Sequence, residues 1–180
     1  MQMVEDVFMP LIGQLVWSVH KGYESFLTME FGEPRRYVRE PIVASPDSSQ
    51  KVQRSLAKRR VTILGQWHFW IQCSEWKIVT QNYTVTSREI ESGNIDACLN
   101  ELDGQSLLTA TSGISLNSCI LGFDLGGTVY ISPLSEAAPD DTQWSLHDRE
   151  GNVVAYRTDG LFVSSGSDGD PKLSAIILGV

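Results

Sequence analysis

Along residues 25–31, SFLTMEF, the apolar Leu27, Met29 and Phe31 alternate with Phe26, Thr28 and Glu30. Successive side chains of a strand point to opposite faces, so this period of two predicts a strand with Leu27, Met29 and Phe31 toward a core. The same rule divides residues 66–73. Trp67, Phe69, Ile71 and Cys73 fall on one face, and Gln66, His68, Trp70 and Gln72 on the other. The first set reads as core. The second mixes aromatic and polar groups, which fits a ligand cleft, a partner surface, or a half-buried face on which His68 is hydrogen-bonded under a loop or helix.

Other short segments rich in β-branched and aromatic residues are bounded by Gly or Pro, the signature of strands and turns. They include QLVWSVHKGY, RRYVREP and 61–80, the last interrupted at Gly65 and with a turn expected at Ser74–Glu75. Residues 3–12 predict a short helix or turn packing Val7, Phe8, Leu11 and Ile12, limited by Pro10. Residues 41–59 read as a loop holding a short helical stretch at 50–58. From Thr86 the period changes. Ile95, Cys98, Leu99 and Leu102 lie three, one and three apart, one face of a helix, with Ser92 or Asn94 as cap and Gly104 just past its end. Strands then resume. Gly126–Gly127 marks a hairpin, and turns near Glu150–Gly151 and at Asp159–Gly160 make a meander of 142–163. No internal repeat is visible.

Short connections exclude parallel pairing, which needs long crossovers. The expected fold is α+β and β-dominated. It is an antiparallel twisted sheet, a sandwich or a half-barrel of about eight to ten strands, with one covering helix near 92–103. Residues 1–165 form a single domain, and 166–180 a flexible or edge-strand tail.

Charge changes the picture. The net charge is −8, but residues 1–80 carry +2 and residues 81–180 carry −10. An acidic chain repels phosphate backbones, so nucleic acid is not the expected partner. No run approaches the roughly 18 apolar residues of a membrane span, and Glu5 and Asp6 stand where an export signal carries basic residues. A cytoplasmic protein without membrane contact is expected. Cys73, Cys98 and Cys119 are widely spaced, with no CxxC, and read as free buried thiols.

Chemistry-bearing patterns are few. The histidines His20, His68 and His147 lie in three separate segments, and HxH and HExxH are absent, so neither metal nor cofactor is expected. GxSxG, the P-loop and the Rossmann glycine set are also absent. FDLGG at 123–127 has no helix after it to receive a phosphate and reads as a hairpin. Glu30 with His68 and His20 is the one acid/base constellation. The basic residues Arg35, Arg36 and Arg39 cluster on one strand, and Lys51, Arg54, Lys58, Arg59 and Arg60 in the next segment. They form a solvated face or a docking patch for an acidic protein surface, and the acidic half of a second copy could supply that surface in a homodimer.

Taken together, SFLTMEFG (25–32), VREP (38–41), GQWHFWIQCSEW (65–76), LDGQSL (102–107), FDLGG (123–127) and YRTDGLF (156–162) resemble a family of small uncharacterised bacterial proteins. The resemblance implies a bacterial cytosolic protein and transfers no catalytic role. Small acidic β-rich bacterial proteins include immunity proteins that neutralise a toxin domain, an analogy of size and charge. The leading expectation is a non-enzymatic protein-binding module using the acidic C-terminal half or the Trp70 face. Its candidate binding residues are His68, Trp70, Gln72, Glu30, Arg35, Arg36 and Arg39. The alternative is a small-molecule binder or hydrolase-like enzyme with a pocket around His68, Trp70 and Glu30.

Overall fold

The computed structural model describes residues 3–89 and 92–166. Among these residues the fold is α+β and β-rich, with thirteen strands in three antiparallel sheets. Two of the sheets form a sandwich-like body. The first joins β1 (Val16–Lys21), β2 (Leu27–Phe31), β5 (Trp67–Ile71), β11 (Thr142–Asp148), β12 (Val153–Arg157) and β13 (Phe162–Ser165), in that order. The second runs β7 (Thr84–Thr86), β6 (Ser74–Val79), β10 (Thr128–Pro133), β9 (Cys119–Phe123) and β8 (Leu107–Ser112). The third is a separate pair, β3 (Arg35–Arg39) with β4 (Arg60–Leu64), enclosing helix α2 (Gln50–Leu56).

The strand total exceeds the expected eight to ten, and the apolar run after residue 60 divides into β4, β5 and β6. The expected turn at Ser74–Glu75 lies two residues earlier. The Gln72 and Cys73 N–H groups donate to the Gln143 and Thr142 carbonyls at 2.8 and 3.2 Å, fixing the corner there. Ser74 and Glu75 already pair with β10, opposite Pro133 and Ser132.

The alternation in β2 and β5 holds. Leu27, Met29, Phe31, Phe69 and Ile71 are buried in the core, with Trp67 packed against it. The Trp144 ring collects the first sheet's aromatics, with centroids of Phe8, Phe69, Tyr156 and Phe162 between 5.2 and 5.9 Å away. Phe8 comes from helix α1 (Val4–Phe8), which packs against β8 of the second sheet, so α1 helps join the two layers. Leu11, in the 3₁₀ turn Met9–Leu11, is also buried, while Ile12, expected in the core, is exposed beyond that turn.

Helix α3 (Ser92–Leu102) buries Ile95, Cys98, Leu99 and Leu102, as their spacing predicts. It packs on β1 and β7, an edge strand of each sheet. Asn94 lies inside the helix rather than at its cap, and the side chain of Ser92 falls outside the described residues. Gly104 follows at φ +90°, the left-handed conformation expected of a residue just past a helix end. The Gly126–Gly127 hairpin forms between β9 and β10. A Cβ on Gly127 would stand 2.7 Å from both Leu102 Cδ1 and Gln105 Oε1, so glycine lets the hairpin meet α3. The meander β11–β12–β13 forms as read, and the tail expected from 166 falls, after Gly166, outside the described residues.

Replacing Phe8 by alanine empties the junction between α1, Phe69 and Trp144. The expected loss is about 3–5 kcal/mol, measured by urea unfolding. A loss below about 1 kcal/mol would show that this aromatic junction does not hold the layers together.

Candidate functional site

Two places gather the chemistry-bearing residues: the outer face of the first sheet, and the arm formed by β3, α2 and β4.

On the outer face, β5 lies between β2 and β11. Its register sets His68 opposite Glu30 on one side and opposite His147 on the other. Trp70 in turn stands opposite Thr28 and Ser145. His68 Nδ1 donates to Glu30 Oε1 at 2.7 Å, and the Gly65 N–H donates to Glu30 Oε2 at 2.8 Å. A carboxylate only accepts, so the proton of this bond sits on Nδ1. Gly65 is required here, because a Cβ would come within 2.6 Å of the Phe31 carbonyl oxygen. The His68 and His147 rings lie 5.8 Å apart at 60°. His147 Nε2 is 3.0 Å from Ser145 Oγ, which also accepts from Gln72 Nε2 at 3.2 Å. Burial foremost, and then repulsion from His68, push His147 down to about 4 against an opposing pull from Asp148. At neutral pH the His147 ring is therefore neutral, and it shares one hydrogen bond with the Ser145 hydroxyl.

The expected constellation is thus half assembled. Glu30 and His68 are bonded, but His20 is exposed on β1, opposite Thr28 rather than Glu30. In β1, Ser18 and Val19 together oppose the single residue Met29, a bulge with Ser18 at φ +51°. Sequence reasoning missed His147 and Ser145 as partners of this face. The alternation in TQWSLHD was the available signal, since Trp144 and Leu146 join the core while Ser145 and His147 face away.

Ser145 and His147 have the spacing of a nucleophile and base, yet Ser145 is only 2% exposed. A substrate cannot reach its oxygen, and a base near 4 takes up little of a proton at neutral pH. Trp70 is 7% exposed and stands edge-on to Phe26 at 5.8 Å, so it offers no free aromatic surface. Among the described residues no group of three His, Cys, Asp or Glu is placed to hold a metal.

The arm is different. Strand alternation separates the three arginines of β3. Arg36 is exposed on the face of Val38, Val61 and Ile63, whereas Arg35 and Arg39 lie on the opposite face. Arg35 Nε donates to the Gly65 carbonyl at 3.4 Å. Arg39 is 5% exposed, and its Nη2 donates to the carbonyls of Ser55 and Lys58 at 3.0 and 3.3 Å. These carbonyls lie at the end of α2, where helical partners run out. Arg39 Nε and Nη1 are buried without a hydrogen-bond partner. Arg39 lines a cleft of about 440 Å³ together with Lys51, Arg54, Ser55, Lys58, Arg59 and Arg60. Among the described residues no carboxylate lines it, and Glu40 pairs at the surface with Arg59 at 2.8 Å.

Compared with protein-family models, with curated proteins and with solved structures, the chain matches none.

The His147 environment makes stability depend on pH. Above pH 6.5 the ring is neutral folded and unfolded, and its contribution is complete. Between 6.5 and about 4 the unfolded chain binds a proton that the folded chain refuses, so stability falls with pH. The full span is about 3 kcal/mol. In urea unfolding at neutral and mildly acid pH, His147→Gln is expected to flatten the slope in this window relative to wild type. An unchanged slope would mean that His147 titrates normally in the folded protein.

Proposed function

We propose that this protein is a non-enzymatic binding module whose basic arm docks on an acidic surface of a partner protein. One observation carries the reading: six Lys and Arg side chains, and among the described residues no carboxylate, line a single cleft. Residues 35–60 hold eight of the chain's 14 Lys and Arg but two of its 22 Asp and Glu. The arm is therefore +6 on a chain whose remainder is −14. Such separation steers a partner of opposite charge to one end of the molecule, and it keeps the rest of the surface from competing for that partner.

The arm's strands pair only with each other, so their outer edges are not used by the sandwich. Beside the cationic cleft, the opposite face of the hairpin exposes Val38, Val61 and Ile63. Cations for steering and apolar area for contact together form the composition of a docking element. The buried Glu30–His68 and Ser145–His147 pairs support a binding role over a catalytic one, because they brace the sheet out of reach of substrate.

The acidic C-terminal half of a second copy meets the same charge requirement, which makes self-association one measurable form of the reading. Among the described residues no helix is long and apolar enough to cross a membrane.

Lys51, Arg54 and Lys58 are exposed and can be reversed without opening the core. Lys51→Glu/Arg54→Glu/Lys58→Glu is expected to leave the unfolding midpoint nearly unchanged. Its affinity for a short polyglutamate peptide should fall at least about tenfold, and wild-type binding should weaken as salt is raised. Fluorescence anisotropy reads both. Binding that is indifferent to the triple reversal would refute the arm as the docking element.

A further inference from the structure

We infer that the floor of the arm's cleft is a subsite for a phosphate monoester carried on a side chain of the acidic partner. This deepens the docking reading and rests on it. The starting point is Arg39. It is the most deeply buried cation of the cleft, and it forms no ion pair among the described residues. Two neutral carbonyls hold it through Nη2, while Nε and Nη1 are buried with nothing to receive their protons. A buried guanidinium with open donors is costly, and five further cations on the same cleft add repulsion. An anion seated against Arg39 would relieve both costs.

Two unpartnered donors amid several cations suit an anion with more charge and more acceptors than a carboxylate brings. A phosphate monoester carries about −1.5 to −2 charges at neutral pH and three acceptor oxygens. It can take protons from the open nitrogens of Arg39 while also neutralising Lys51, Arg54 and Lys58 around it. Charge-assisted bonds of this kind are the strong ones, and arginine suits phosphate through its fixed array of donors.

The cleft's volume exceeds a lone phosphate group, leaving room for the chain that bears it. Flanking carboxylates of that chain would meet the exposed Lys51, Arg54 and Lys58 at the rim. A nucleic acid has the same phosphates but extends them. Beyond the cleft its backbone would run over a molecule that is otherwise −14. A phosphorylated acidic segment presents its charge where the cations are.

The test uses the whole protein and fluorescence anisotropy with defined probes. One is a short Asp/Glu-rich peptide with a single central phosphoserine, and the other is the same peptide with serine. Wild type is expected to bind the phosphopeptide at least about tenfold more tightly. That preference should shrink below about twofold in Arg39→Gln. Because Arg39 also holds the end of α2, Lys51→Gln/Arg54→Gln serves as a second variant on exposed positions. It should weaken the phosphopeptide more than the serine peptide.

Equal binding of the two peptides would overturn the subsite while leaving the docking reading standing. Failure of both peptides to bind would remove both readings. Inorganic phosphate displacing the phosphopeptide at an equal affinity would make the ligand a free anion and overturn the assignment to a partner side chain. Tighter binding of a single-stranded DNA oligonucleotide than of the phosphopeptide would overturn it in favour of nucleic acid.

Discussion

Strand β5 is the constraint on which the first sheet depends. It is bonded on both sides, to β2 and to β11, so neither edge is open. Its two faces must both be satisfied, and they are satisfied differently. Phe69 and Ile71 enter the core and are covered by apolar neighbours. Trp70 faces away and is buried, and His68 beside it is nearly so. Glu30 bonds His68 Nδ1 and the Gly65 N–H, and Ser145 joins Gln72 to His147, while His68 Nε2 has no hydrogen-bond partner. A buried ion pair or hydrogen-bonded pair adds little net stability compared with apolar packing, but breaking one member strands the other. The network therefore acts on register. A one-residue slip of β5 would put His68 into the core and leave Glu30 alone on the outside.

The arm obeys the opposite economy. Its hairpin contributes no strand to the sandwich, and it concentrates like charges that repel one another. Only the exposed Arg59–Glu40 pair offsets this within the arm's own carboxylates, and exposed pairs contribute about 0–1 kcal/mol. The fold alone does not account for such a cluster, since the sandwich has its own core and its own buried polar network. A charge distribution that costs local stability is easiest to understand as a surface completed by something of opposite sign.

What the residues show on inspection follows from how far each signal reaches. Period-two alternation in SFLTMEF and GQWHFWI correctly divides core from outer face, and the three-one-three spacing of Ile95 to Leu102 correctly finds the helix. Glycine pairs and Asp-Gly or Glu-Gly steps mark turns that form. All of these are local. The pairing of β11 with β5 joins residues more than 70 positions apart and leaves no local mark, so Ser145 and His147 could not be assigned to His68. The bulge at Ser18–Val19 likewise depends on the partner strand, and it decides where His20 stands. Burial of Trp70 is a third case, because alternation assigns a face without telling whether that face is wet. The clustering of Arg35, Arg36 and Arg39 in sequence misleads for two reasons: alternation turns Arg36 to the opposite face, and Arg35, on the face of Arg39, is held at the Gly65 carbonyl, so only Arg39 of the three lines the cleft.

The choice between catalysis and binding turns on access rather than on which side chains meet. A serine 3.0 Å from a histidine, with a second histidine held by a glutamate nearby, contains the pieces of a hydrolytic site. Catalysis requires in addition that the nucleophile be reachable and that the base hold a proton near the working pH. Ser145 is enclosed, and burial pushes His147 down to about 4. Burial also explains these bonds, because most enclosed polar atoms are paired. Arg39 is the contrasting case. It is as deeply enclosed as Glu30, yet two of its nitrogens stay unpaired, and it lines a cleft open to the outside. Glu30 has both carboxylate oxygens bonded to groups of the protein, whereas Arg39 keeps two nitrogens unpaired beside a cleft lined by cations.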